Sequence, residues 1–375
     1  MWCYDEKAHR GPVRYRLATP SAQATGGSLK SSLAFSLLLP LLIALSACVL
    51  SEQSKPPPTP TPQANAAQQP TLVVAVPVML RLQGASFHLA IVGKHFAKAG
   101  LDVQIKEVDR AFSAQEALLD GTAQLAVLPM PAVAKSVNGN RPYVAIGAIN
   151  QGNPLNVVAA HSVAQERGLL DERPFPQRMA GLKGLEIGLP QGPIARRTIA
   201  DVLAAAGLDL NSDVTLVVLP EPELVPALRS GRVQALVCHE PDVETAIVDV
   251  GADLIVHTTK GDGLIPTAQP MAWYVLATTR EYAQGHAEEL RALVRALGNA
   301  QQALLSGPDA AALALRGEFP ELSDGTYAQG VKIYFPGAAR TPEITEASYR
   351  NALRAGGTDY VPFEQAIDLS YWESG

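Results

Sequence analysis

Several groups of residues have the types and spacing to do chemistry. Cys238-His239-Glu240 sets a thiol, an imidazole and a carboxylate in a row, the ingredients of an activated nucleophile. Neighbours on a strand point to opposite faces, however, so the three cannot converge on one reacting atom. His88 and His95 lie seven positions apart on one predicted helix, but no HExxH motif or second ligand pair accompanies them, so no metal site is expected. Phosphate-binding and dinucleotide-binding glycine fingerprints are absent, and no cofactor is expected. The residue with the most pointed chemistry is Arg81, whose guanidinium fork could clamp a carboxylate, sulfonate or phosphate. A solvated arginine at a rim is the competing reading. Arg196 and Arg197 fall in the first turns of a predicted helix, unfavourably for its dipole, and divide the same way between binding and a solvated face. These residues suggest binding and give no assembled catalytic set.

The elements that must hold them alternate between apolar runs and helical spacing. Leu72–Val78 reads as a buried strand, Phe87–Ala99 as a helix ending at Gly100, and Val103–Val108 as the next strand. Ala114–Leu119, Leu125–Leu128, Ala132–Val137, Tyr143–Ile149 and Leu155–Ala160 continue the series. A second block runs from the strand Leu185–Leu189 through the helix Ile194–Ala206 to the strand Leu254–His257. The chain then returns through the strand Trp273–Thr278 into a long helix near Arg280–Leu305 and a helical, irregular remainder. Two α/β blocks joined near 155–180 and 260–275 imply two lobes with two crossings. Lobe I is expected over 71–160 and 270–375, with the C-terminal helical tail, and lobe II over 161–269.

Ligands of open α/β sheets sit beyond the carboxyl ends of the strands. That rule brings the loop Met79–Ser86 to a cleft between the lobes. There Gln83, Gly84 and Ser86 would offer backbone N–H groups and a hydroxyl at a helix start. Gln191 and Gly192 occupy the matching position of the second block. Pro129 and Met130 would form another wall, Asn153 precedes the first crossing, and His239 and Glu240 end their strand facing the same gap. Trp273 and Tyr274 alternate, so at most one faces the cleft. Trp273 is expected to stack on a ring there, or else to pack in the core.

The chain carries 30 Lys+Arg against 36 Asp+Glu, a net charge of −6. The five basic and two acidic residues before Cys48 leave 25 and 34 after it, a net charge of −9. Without basic runs this excludes a phosphate-contacting nucleic-acid surface. The apolar run Leu33–Leu45 is 13 residues long and interrupted by Pro40. A helix of that length reaches about 20 Å, short of a hydrocarbon core of roughly 30 Å, so it suits a signal-peptide core. Residues 51–70 carry six prolines and no apolar periodicity, which predicts an extended tether. The 305 residues beyond it are enough for a large apolar core without disulfides.

Leu45-Ser46-Ala47-Cys48 resembles a bacterial lipobox. The resemblance implies a signal peptide over 1–47, lipidation of Cys48, and a Pro-rich linker over 48–70 holding the body to the extracytoplasmic side of a membrane.

The body resembles extracellular solute-binding proteins of the branch serving uptake of nitrate, sulfonates, taurine and thiamine-precursor pyrimidines. The resemblance is carried by FHLAIVGKHFAKAGLDVQIKEV and ALLDGTAQLAVL, by Leu182-Lys183-Gly184-Leu185-Glu186-Ile187-Gly188, by Gly207-Leu208-Asp209, by Gly231-Arg232-Val233-Gln234-Ala235 and by His239-Glu240-Pro241. Gln124 and Gln234 stand where that family usually has aspartate, a departure expected to affect packing more than binding. The cysteine-rich motif of the pyrimidine-synthase relatives is absent. The resemblance implies a two-lobed, periplasmic-binding-protein-like fold of type II, with mixed sheets flanked by helices and two hinge crossings. It implies a monomeric, non-enzymatic protein that captures a small anionic or heteroaromatic solute by hinge closure and hands it to an ABC permease with its ATPase subunits. Two alternatives stay open: an enzyme of pyrimidine or menaquinone-precursor metabolism on the same scaffold, and the ligand-sensing module of a signalling receptor.

Overall fold

Short apolar runs bounded by glycines and prolines form the strands β1 (Thr71–Pro77), β2 (Asp102–Val108), β3 (Leu125–Pro129), β4 (Tyr143–Ala148), β5 (Asn156–Ala159), β6 (Glu186–Leu189), β7 (Thr215–Val218), β8 (Ala235–Cys238), β9 (Asp253–Val256) and β10 (Tyr274–Thr279). The computed structural model describes residues 71–78, 80–139 and 143–372. The signal segment, Cys48, the tether and Met79 lie outside the described residues.

The strands make two five-stranded sheets of one design, ordered β2-β1-β3-β10-β4 and β7-β6-β8-β5-β9. In each, three parallel strands are followed by one antiparallel strand and an edge strand. The antiparallel strand is what the two crossings deliver. β10 returns from the second block into the first sheet, and β5 leads from the first block into the second. The strand at 156–159, expected with lobe I, therefore belongs to the second sheet. Its sequence reads as a buried strand either way, and only the pairing of Val157 with Val237 and Val256 decides which sheet it joins. The first crossing is correspondingly the short stretch after β4.

The repetition reaches single residues. Gln124 Oε1 accepts the Val73 N–H at 3.0 Å, and Gln234 Oε1 accepts the Glu186 N–H at 2.8 Å. In each block the glutamine just before the third strand thus caps the entry of the first. Both glutamines that stand in place of aspartate act as acceptors for a backbone N–H at corresponding positions. Gly100 and Gly207 end corresponding helical segments at φ 80° and 72°, which non-glycine residues rarely adopt.

The C-terminal tail does not stay with one lobe. Helix Ala287–Ser306 buries Leu290, Leu293, Val294, Leu297 and Leu304 at helical spacing. Its earlier part, with helix Glu346–Ala355, completes the core under the first sheet. Leu304, Leu315, Phe319, Tyr327, Tyr334 and Phe335 instead share a core with Val158, Leu219, Leu236 and Cys238 of the second block and with Leu82, Ala85 and Leu89 of the first. The expectation that 270–375 belongs with lobe I holds for part of the tail; Leu304–Phe335 forms a wedge of apolar contact between the two. No helix among the described residues is long and apolar enough to cross a membrane.

Candidate functional site

The centre of the interlobe boundary is a carboxylate. Glu240, at the C-terminal end of β8 and 1 % exposed, reaches across to the turn that opens helix Ala85–Val92. Its Oε1 accepts the N–H groups of Arg81 at 3.1 Å and Gln83 at 2.9 Å, and its Oε2 accepts that of Leu82 at 2.7 Å. Consecutive N–H groups before a helix form a cradle for negative charge. Here the protein's own side chain from the other block fills it.

A titratable cluster surrounds this contact. Burial pushes the Glu240 carboxyl up to about 7, even though the three N–H groups and His239 favour its charge. His239 Nε2 lies 3.2 Å from Glu221 Oε1, and its Nδ1 faces the Glu240 carbonyl. Burial opposes protonation of His239, but those partners outweigh it and push its pKa up to about 9. Burial also raises Asp242 to about 6. Glu244 goes well above the carboxylate range, through burial first and then the charge of Glu240. The Cys238 thiol is pushed up by the same causes, burial and then Asp242 and Glu244, which makes it unreactive as a nucleophile. The site gathers acceptors and negative charge, with His239 as a basic partner.

Of the residues expected at the cleft, Gln83 and Glu240 meet directly, with Arg81 and His239 attached to the same contact. Gln83 also donates from Nε2 to the Pro154 carbonyl, tying the loop to the first crossing. Ser86 donates to the Ile149 carbonyl at 3.3 Å. Gly84 precedes the helix, where an added Cβ would meet Leu80 Cγ at 3.0 Å.

Other expectations are corrected. The guanidinium of Arg81 does not face the cradle; it pairs with Glu321 beside a cavity of about 240 Å³ that also involves Glu107, Glu318 and His88. An anion clamp is replaced by an ion pair with the tail: the Arg81 N–H serves Glu240 while its guanidinium serves Glu321. Met130 is fully buried in the first core, its N–H donating to the Trp273 carbonyl at 2.7 Å. Trp273, just before β10, is likewise buried in the first core. The other member of that pair, Tyr274, has its hydroxyl raised by burial and then by the charges of Glu240 and Glu221, so it is the ring on the carboxylate side. Pro129 closes β3 by pairing with Tyr274. Asn153 fastens the first crossing: it donates to Thr198 Oγ1 at 3.0 Å and accepts the Leu155 N–H at 3.0 Å. Gln191 and Gly192 line a separate cavity of about 330 Å³ with Leu189, Pro190, Arg196, Leu216 and Val218, apart from the Glu240 contact.

Sequence reasoning missed Glu244, Tyr334 and Glu321. Glu244 sits in helix Asp242–Val250 on the face that also buries Val243 and Ala246, and a lone acid on an apolar face is its only signal. The tail residues carried none, since nothing in their spacing says which lobe they reach. Among the described residues, no group of three or more His, Cys, Asp or Glu side chains could hold a metal ion.

A family model described as the NMT1-like family matches residues 74–316, from within β1 into the tail. The chain belongs to that family. Solved structures place this NMT1-like chain in the periplasmic binding protein fold. The ligand-binding component of an ABC-type import system from Staphylococcus aureus, solved with zinc bound, superposes with a TM-score of 0.60 at 11 % identity, covering 82 % of this chain and 99 % of that one. The periplasmic aliphatic sulphonate binding protein SsuA from Escherichia coli gives 0.57 at 16 % identity, covering 76 % and 90 %. The alkanesulfonate-binding protein SsuA from Xanthomonas axonopodis pv. citri, bound to MOPS, gives 0.53 at 18 % identity, covering 77 % and 92 %. No curated protein matches the sequence.

Proposed function

We propose that this protein is the extracytoplasmic solute-binding component of an ABC-type importer. It captures a small solute between its blocks by hinge closure, as a monomer and without chemistry, and presents it to a permease with its ATPase subunits. The observation that carries this is the Glu240 contact. A side chain of one block inserted into the backbone cradle of the other is a latch whose making and breaking distinguishes shut from open. The two crossings, fastened by Asn153 and by Thr259, which donates to the Asn153 carbonyl at 3.0 Å, supply the hinge. A solute shifts the balance by its different affinity for the two forms.

The sulfonate-binding neighbours make sulfonates the first class to try, followed by nitrate, taurine and pyrimidines. Thermal-shift screening of the purified protein against these compounds tests the reading. A solute at about 100 times its Kd adds roughly 2.7 kcal/mol to the folded state. The same solute should compact the particle in small-angle scattering. A binder that leaves the scattering curve unchanged, or product formed from it, would overturn capture by closure. Attachment through Cys48 predicts that Cys48→Ser abolishes acyl labelling and frees the protein from membranes; labelling that persists refutes it.

A further inference from the structure

The buried boundary holds acceptors that nothing satisfies. Glu244 is fully buried, and neither of its carboxylate oxygens has a hydrogen-bond partner among the described residues. Gln83 Oε1 and the Tyr334 hydroxyl, both buried, are in the same condition. These groups belong to one neighbourhood. Glu244 feels the charges of Glu240, Asp242 and His239, and Tyr334 feels Glu244 and Glu240. Helix Asp324–Tyr334 meets Glu244 at Gly330, where an added Cβ would lie 2.8 Å from Glu244 Oε1 and 2.4 Å from Leu82 Cδ1.

A buried polar group without a partner is destabilising, so such sites ask for a complement. For Glu244 and Gln83 Oε1 the complement must be a donor, whereas the Tyr334 hydroxyl can give or take a hydrogen bond. The backbone N–H cradle, which would suit a sulfonate or nitrate, is occupied by Glu240, and the Arg81 guanidinium is turned to Glu321. His239, the nearest base, is engaged by Glu221 and the Glu240 carbonyl. What remains for a solute is the Glu244 carboxyl with both oxygens unpaired, the Gln83 amide oxygen, the Tyr334 hydroxyl and, in the turn itself, the buried Arg81 Nε.

We infer that the solute this cleft selects carries a cationic nitrogen with at least two N–H donors, an amidine, guanidine or amine, seated on Glu244 with Gln83 Oε1 as second acceptor. Burial holds Glu244 protonated when it is alone; a cation beside it would favour the ionised form, whose two oxygens match a planar fork of two donors in the stronger, charge-assisted kind of hydrogen bond. Opening at the hinge admits it, and closure buries the pair. The inference rests on the capture reading and replaces an anionic solute by a cationic one.

The test uses the full chain, with benzamidine, methylguanidine and butylamine set against benzenesulfonate, benzoate and nitrate, each followed by calorimetry, thermal shift and scattering. At least one cation should bind saturably and compact the particle. Glu244→Gln, which keeps shape and removes the charge, should weaken that binding tenfold or more while circular dichroism and melting show an intact fold. Gln83→Glu, which adds a second acidic acceptor, should hold or tighten it. Anions that bind and compact the protein while cations do not would leave capture standing and overturn this inference. Cation binding that Glu244→Gln does not change would overturn it as well, by placing the cation elsewhere. If neither class binds or compacts the particle, both readings fall.

Discussion

The backbone N–H of Leu82 donates to Oε2 of Glu240 at 2.7 Å across 158 residues of sequence. With the Arg81 and Gln83 bonds it joins the first turn after β1 to the second residue after β8, so one carboxylate holds two blocks together. The cost of burying the charge is offset by three donors that would otherwise be orphaned.

Glu240→Ala should therefore destabilise the protein by about 2–4 kcal/mol, since three buried N–H groups lose their acceptor. Glu240→Gln keeps one acceptor oxygen and should cost less. Urea denaturation measures both. Equal costs would mean that the charge carries the whole interaction, and no cost would mean that the latch is open in solution.

The cluster also fixes a pH trend. His239, raised to about 9, contributes stability that is complete below its unfolded value and lost as the pH climbs through 9. Glu240, raised to about 7, and Asp242, raised to about 6, likewise hold protons longer in the folded chain, so ionising them costs stability as pH rises. His88 and His257, pushed down by burial, act in the opposite sense as pH falls below the ordinary histidine value. Glu221, held low by its hydrogen bond to His239, loses its contribution only in acid. From pH 7 to 9 the melting temperature should fall, and His239→Gln should flatten that slope. A slope unchanged in the variant would assign the effect elsewhere.

Gly330 is where the tail presses on the latch. Gly330→Val would drive a side chain into Leu82 and Glu244, and overpacking of this kind costs about 1–3 kcal/mol. The strain is relieved by opening, so the variant should show a larger radius of gyration and weaker solute binding. An unchanged radius with unchanged affinity would mean that the neighbours repack locally.

Gln124 and Gln234 test the repeat. Each replaced by alanine should cost about 1 kcal/mol, because the Val73 or Glu186 N–H loses its acceptor. The two sites belong to different sheets and should add in the double variant. Strong coupling between them would show that the blocks unfold as one.

Much of the fold was legible in the chain. Val-rich runs gave the strands, Gly100 and Gly207 marked the ends of equivalent helices, and the repeated block announced two lobes. These are local signals, set by side-chain periodicity and by backbone conformations that glycine alone takes easily. The boundary at β5 was misplaced because a buried strand looks the same whichever sheet it joins.

The candidate site divided along the same line. His239-Glu240 at a strand end and Gln83 before a helix could be found from position in the α/β scheme. The direction of the Arg81 side chain, the burial of Trp273 in the first core, and the meeting of Glu244 with helix Asp324–Tyr334 at Gly330 could not. By itself the sequence determined two α/β blocks with loops poised at a shared gap. Only the tertiary structure decided that the anion cradle between them is filled by Glu240, because pairing across 158 residues depends on how two independently patterned blocks and a neutral-looking tail pack together.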